Sequence, residues 1–133
     1  ALGVAQLEKL DEIIAGRQRV CKRYVDLLSK NDGVCLQTFL PEVDGLPWAV
    51  AMLLDPKAFP QGRDAVLKQM REKNIETRHG FVAAGFMNHI FTNPHPTPSS
   101  DEISRQSISL PTYPTLTDEM VDYIVASLNG LRK

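Results

Sequence analysis

The 133-residue sequence predicts a mixed α+β (open α/β) domain. Its expected architecture is a small open sheet of about three to four strands packed against a long N-terminal helix and two or more shorter helices. Three observations lead there. Residues 1–31 repeat apolar side chains at helical steps: Leu7, Leu10, Ile14, Cys21, Tyr24 and Leu28, with Ile13, Val20 and Leu27 widening the stripe. Residues 48–54 form a nearly unbroken apolar run of strand length. Finally, the elements alternate along the chain as helix, strand, strand, helix, strand, loop, strand, helix.

The first helix, read as one rod over 1–31, would extend roughly 40 Å at the usual rise per residue. Its polar positions, among them Glu8, Lys9, Asp11, Glu12, Arg17, Arg19, Lys22, Arg23 and Asp26, belong on water. It opens without an N-cap residue or an initiating Met, which points to a C-terminal piece of a longer polypeptide. Gly33 is the expected left-handed terminator. Residues 34–40 alternate as a short strand, and Pro41, Asp44-Gly45 and Pro47 punctuate the loop that follows. The run 48–54 suits a central strand covered on both faces. Asp55-Pro56 stops it, and a helix follows over 64–73 with Val66, Leu67 and Met70 inward. Asn74, which tolerates positive φ, closes that helix. Residues 75–79 read as a strand.

From 80 to 98 the periodicity disappears. This loop holds Gly80, Gly85, Pro94, Pro96 and Pro98 together with Phe81, Phe86, Met87, Ile90 and Phe91. A connection of that length inside a compact domain usually serves a function. A short helical turn at 99–102, a strand at 107–110 and a helix capped by Thr117 complete the chain. Asp118 and Glu119 favour the start of that last helix, and Arg132 and Lys133 its end.

A 43% hydrophobic fraction and a 23% charged fraction are ordinary for one globular domain of this length. A net charge of −1 provides no electrostatic drive toward nucleic acid or anionic lipid. Cys21 and Cys35 form neither a disulfide framework nor a metal site and read as reduced, packed thiols, so the cytoplasm is the expected location. No apolar run is long enough to span a bilayer.

Chemistry-bearing motifs are few. The sequence contains no P-loop, dinucleotide glycine fingerprint, zinc-type spacing or nucleophile elbow. His79, His89 and His95 lack the carboxylate or thiolate company that a metal site needs, and read as surface or loop histidines. The cluster Glu76-Thr77-Arg78-His79 leads into the aromatic loop and is placed to rim a binding site. Arg78 has two readings there: a two-pronged contact to a ligand carboxylate or phosphate, or an ion pair with Glu76 or another acid of the chain.

Three segments together resemble one family. They are the opening 1–14 with Arg17 and Tyr24, Asn74-Ile75-Glu76-Thr77-Arg78, and residues 109–119 with Leu110-Pro111 and Leu116-Thr117. In this order and spacing they resemble the C-terminal domain of DegT/StrS aminotransferases. These are pyridoxal-phosphate-dependent enzymes of fold type I that act mainly on nucleotide-linked keto-sugars. The resemblance runs the whole length of the chain. It implies a single domain over 1–133, the small domain of a larger aminotransferase, with 1–31 as the interdomain helix. It also implies a substrate-binding role for Arg78, His79, Phe81 and His89, and a partnership with a large PLP-binding domain of the same chain in a homodimeric parent. Where the family has a Tyr/Phe-Pro-x-His element, this chain has 81–89 without the proline and with the histidine displaced. The Schiff-base lysine belongs to the large domain, so this piece is expected to hold no cofactor and catalyse nothing alone. Exposed apolar residues on the first helix and around 86–91 are expected to make it self-associate. The competing readings are a stand-alone binding module of the same fold and an unrelated α+β domain without a site.

Overall fold

A computed structural model of the chain describes residues 1–43, 45, 48–87, 89–90 and 95–133. Of the expected loop residues, Asp44, Pro47, Phe91 and Pro94 lie outside those described.

The expected single N-terminal rod is two helices, α1 (Leu2–Leu7) and α2 (Leu10–Leu28). The helical ladder breaks at Glu8 and Lys9, where the Lys9 N–H turns to Gln6 O at 3.2 Å. No residue of α1 is buried, so no tertiary packing holds the two segments in line. In α2, Val20, Tyr24 and Leu28 enter the core, whereas Leu7 and Leu10 stay exposed.

Four strands follow: β1 (Val34–Leu36), β2 (Val50–Leu54), β3 (Arg78–His79) and β4 (Ser107–Leu110). They form one antiparallel sheet in the order β1-β2-β4-β3, with Met52 opposite both Leu36 and Ile108, and Arg78 opposite Ser109. β1 and β3 are shorter than their patterns predict. Each is an edge strand, and an edge keeps only the pairs its single neighbour provides.

Helix α3 (Arg63–Glu72) and helix α5 (Asp118–Asn129) join α2 on one face of the sheet. Val50, Met52, Leu54, Ile108 and Leu110 meet Val66 and Met70 of α3 and Val121, Ile124 and Leu128 of α5 in a single core. The opposite face of β2 is only half buried at Ala51 and Leu53. The expectation of a strand covered on both faces is thus corrected to the one-sided covering usual for antiparallel sheets. The short turn expected at 99–102 is a nine-residue helix, α4 (Pro98–Gln106), started by the pre-set φ of Pro98.

Two backbone expectations divide. Asn74 adopts φ 61 behind α3, as its chemistry suggests. Gly33 does not take the left-handed region; the positive-φ glycine among the described residues is Gly62, at the start of α3. Gly33 serves packing instead. Its N–H donates to Asn31 Oδ1 at 2.9 Å, and a Cβ there would lie 2.9 Å from Ala58 Cβ.

The arginines of α2 do not simply face water. Arg23 makes a two-pronged pair with Asp122 of α5 at 2.8 and 2.6 Å, and the hydrogen bond to that carboxylate raises the guanidinium's pKa further. Arg19 bonds Asp118 and donates to Leu116 O at 2.5 Å. Burial raises the Cys21 thiol above its ordinary value against the opposing pull of Arg17, so it stays protonated. Cys35, expected to be packed, is exposed on edge strand β1.

Candidate functional site

The uncovered sheet face opens a cleft of about 1280 Å³ that continues around the end of the sheet toward α5. Alternation along antiparallel strands sends Ala51 and Ser109 to this face, because their neighbours Met52 and Ile108 are committed to the core, and Arg78 shares it as the cross-strand partner of Ser109. Gln37, just past β1, also lines it. Large apolar side chains surround this floor: Phe39, Trp48, Phe81, Val82, Ile103 and Tyr113 line the cleft and are exposed. Trp48 is 67% exposed and Phe81 85%. Contiguous exposed aromatics of this kind mark a surface that a partner or ligand covers.

α2 holds the rim in place from behind. Arg17 Nη1 donates to Trp48 O at 2.8 Å and to Thr112 O at 3.2 Å. The Tyr24 hydroxyl donates to Pro111 O at 3.0 Å. Thr112 Oγ1 accepts the Val50 N–H at 3.0 Å and donates to Leu110 O, tying the rim to β2 and β4. The fit is close at Gly16, where a Cβ would stand 2.8 Å from Pro114 Cβ; only glycine lets the helix approach this loop.

Of the residues singled out from the sequence, the fold brings Arg78, His79 and Phe81 together at the β3 edge, where all three line the cleft. The Arg78 guanidinium, 73% exposed, donates to Glu76 Oε1 at 3.0 Å, which realises the intramolecular pair. An ion pair this exposed contributes little and exchanges readily for a ligand anion. His79 Nδ1 lies 2.7 Å from Gly80 O, an arrangement suited to the tautomer protonated at Nδ1. His89 is exposed and does not line the cleft. Sequence reasoning missed Gln37, Trp48, Ser109, Ile103 and Tyr113. For Ser109 the signal was available, since a small polar residue between Ile108 and Leu110 marks the open face of a one-sided strand. Nothing local marked Gln37 or Tyr113, because sheet pairing places the first and the α2 clamp the second.

The profile of the DegT/DnrJ/EryC1/StrS aminotransferase family matches residues 1–129. The chain belongs to this family. It is 28% identical over 131 residues to a GDP-perosamine synthase of Escherichia coli O157:H7, covering 97% of this chain and 34% of that protein. It is 34% identical over 121 residues to a dTDP-4-dehydro-2,3,6-trideoxy-D-glucose 4-aminotransferase of Saccharopolyspora spinosa, covering 91% of this chain and 30% of that enzyme. The fold is that of the aminotransferase TlmJ from Streptoalloteichus hindustanus, with a TM-score of 0.84 at 19% identity over 96% of this chain and 34% of the other. The chain therefore spans about a third of the length of the relatives it matches.

The family implies pyridoxal phosphate, and the residues of this chain do not fit its covalent attachment. Every lysine, from Lys9 to Lys133, is exposed, and none lines the cleft. A lysine needs burial or a cationic neighbour to be a nucleophile near neutral pH. Among the described residues no cluster of histidine, cysteine and carboxylate side chains could hold a metal, and no helix is long and apolar enough to cross a membrane.

Proposed function

We propose that this chain is the C-terminal small domain of a pyridoxal-phosphate-dependent aminotransferase acting on a nucleotide-linked keto-sugar in polysaccharide or cell-surface sugar biosynthesis. It forms one wall of the substrate cleft. A large domain of the same polypeptide supplies the lysine and the cofactor, which is the electron sink for amino transfer. The observation that carries this reading is the convergence of Arg78, His79 and Phe81 on an exposed, aromatic-rimmed cleft that no lysine enters. Arg78 offers a guanidinium fork to a phosphate or carboxylate, Phe81 an apolar surface to a sugar or base, and His79 a hydrogen bond. His89 plays no part in the site as proposed here, because it stands outside the cleft. The intact enzyme is a cytoplasmic homodimer in this reading, without nucleic-acid or membrane partners; the near-zero net charge of this chain supports the latter.

The test is Arg78→Ala in the full-length enzyme, read as the KM for the nucleotide sugar. Loss of a charge-assisted contact raises KM by the equivalent of about 1.5–3 kcal/mol. An unchanged KM removes Arg78 from the site. The isolated chain, supplied with pyridoxal phosphate, is expected to transfer no amino group. Amino transfer by this chain alone would overturn the proposal. A reading frame that opens just upstream of Ala1 would favour a stand-alone binding module instead.

A further inference from the structure

Phe81 has almost no contact of its own with the body of the domain, yet the backbone around it is held at several points. The Gly80 N–H donates to Ser107 O at 3.1 Å. The Ala83 N–H donates to Ser104 Oγ at 3.1 Å, in a buried hydrogen bond between residues 21 apart in sequence. The Arg105 guanidinium lies 4.9 Å above the centre of the Phe86 ring. Gly85 sits close against α4, where a Cβ would stand 3.1 Å from Asp101 Oδ1. Three of these four contacts come from α4, through Asp101, Ser104 and Arg105 on adjoining turns.

Ser104 is the centre of the arrangement. Only 6% exposed, it is the one buried residue of α4. A helical serine ordinarily turns its hydroxyl to solvent or back onto its own helix. Here the hydroxyl accepts an N–H from outside the helix, while the Ser104 carbonyl accepts from Arg63 of α3. The post that holds the segment is thereby fixed to an element of the core.

We propose that Ser104 is a positioning residue for the substrate-facing segment 81–86, and that it sets where Phe81 stands in the cleft. The proposal rests on the sugar-aminotransferase reading above. Ala83 is itself buried, so without the hydroxyl its N–H must either remain unpaired or reach water by moving the segment. The second course carries Phe81 away from its place while leaving the sheet and the core as they are.

The test uses Ser104→Ala and Ser104→Thr, the latter keeping the acceptor oxygen. In the 133-residue chain, hydrogen exchange at the Ala83 amide is expected to speed up about tenfold in S104A, with exchange in β2 and β4 unchanged, and to recover in S104T. In the full-length enzyme, S104A is expected to raise KM about tenfold, with kcat retained, for whichever GDP- or TDP-linked amino sugar the unsubstituted enzyme accepts, and S104T to restore it. The probe reaction is amino transfer to 2-oxoglutarate. Unmoved Ala83 exchange in S104A overturns the proposal even where transfer proceeds normally. So does faster exchange accompanied by an unchanged KM, or a fall in kcat alone. If the unsubstituted enzyme transfers no amino group from GDP- or TDP-linked amino sugars, the sugar reading fails, and the exchange result still shows whether the tether exists.

Discussion

Replacing Tyr24 with phenylalanine separates two contributions of one hydroxyl, and they act in opposite directions at opposite ends of the pH scale. Tyr24 is 0% exposed, and its hydroxyl donates to Pro111 O at 3.0 Å. Near neutral pH the substitution removes that bond and leaves the carbonyl short of a partner, at a cost of about 1 kcal/mol. In alkali the sign reverses. Burial raises the phenol's pKa well above its ordinary value near 10, and the nearby Tyr113 and Cys21 push in the same direction. The unfolded chain therefore releases this proton first. The stability that the neutral phenol contributes is complete below about pH 10 and is lost as pH climbs from there toward the folded-state value, at up to about 1.4 kcal/mol per pH unit. The substituted side chain has no proton to release. Urea denaturation followed by far-UV circular dichroism should show the substituted chain about 1 kcal/mol less stable at pH 7 and level with the wild type near pH 11. Parallel curves from pH 9 to 11 would show that the Tyr24 phenol is not buried as described.

Three further perturbations probe separate parts of the fold. Ile108→Ala empties a fully buried site between β2 and β3 and should cost about 2–5 kcal/mol in urea denaturation. In Gly80→Ala the new Cβ would stand 2.1 Å from Ser107 Oγ and 2.7 Å from Ser107 Cβ, so turning the hydroxyl aside gives no relief; a loss of about 1–3 kcal/mol in the same assay is expected. Glu119 has its pKa lowered, chiefly by its own backbone N–H and then by the Thr117 hydroxyl, at the start of α5. A depressed carboxylate contributes stability above its unfolded value near 4.3, which is lost as pH falls through the folded value. Glu119→Gln should accordingly flatten the acid limb of the stability profile between about pH 5 and 3.

The parts of the fold that the sequence showed plainly are those decided by neighbouring residues. Thr117 caps α5 by accepting the Met120 N–H at 3.3 Å, and Val121, Ile124, Val125 and Leu128 are buried at helical spacing, whereas Met120 is exposed. Asn74 has positive φ, and 107–110 is a strand, as expected. Where distant groups decide, local reading fell short. Arg17, Arg19 and Arg23 look like solvated helix positions until α5 and the 111–116 loop arrive beside them. α1 and α2 share one periodic pattern but separate where nothing packs against the first. α4 carries an apolar signal too weak for its length, because the side chain it buries is a serine. The site follows the same division: Arg78, His79 and Phe81 lie together in sequence, and the cleft keeps them together. Trp48 and Tyr113 reach the same rim from opposite parts of the chain and could be assigned only from the fold.

The arginine ladder between α2 and the C-terminal part of the chain also bears on biosynthesis. Arg17 meets Thr112 across 95 residues, Arg19 meets Leu116 across 97, Arg23 meets Asp122 across 99, and Asp32 meets Arg132 across 100. Closing loops of that length is slow, and the reward comes only at the end. While a ribosome is still adding the residues that become α5, Arg23 lacks Asp122, Asp32 lacks Arg132, and the core lacks Val121, Ile124 and Leu128. A nascent chain stalled before Asp118 would leave Val20, Tyr24 and Leu28 without their neighbours from α5, and maturation of this domain waits on that helix.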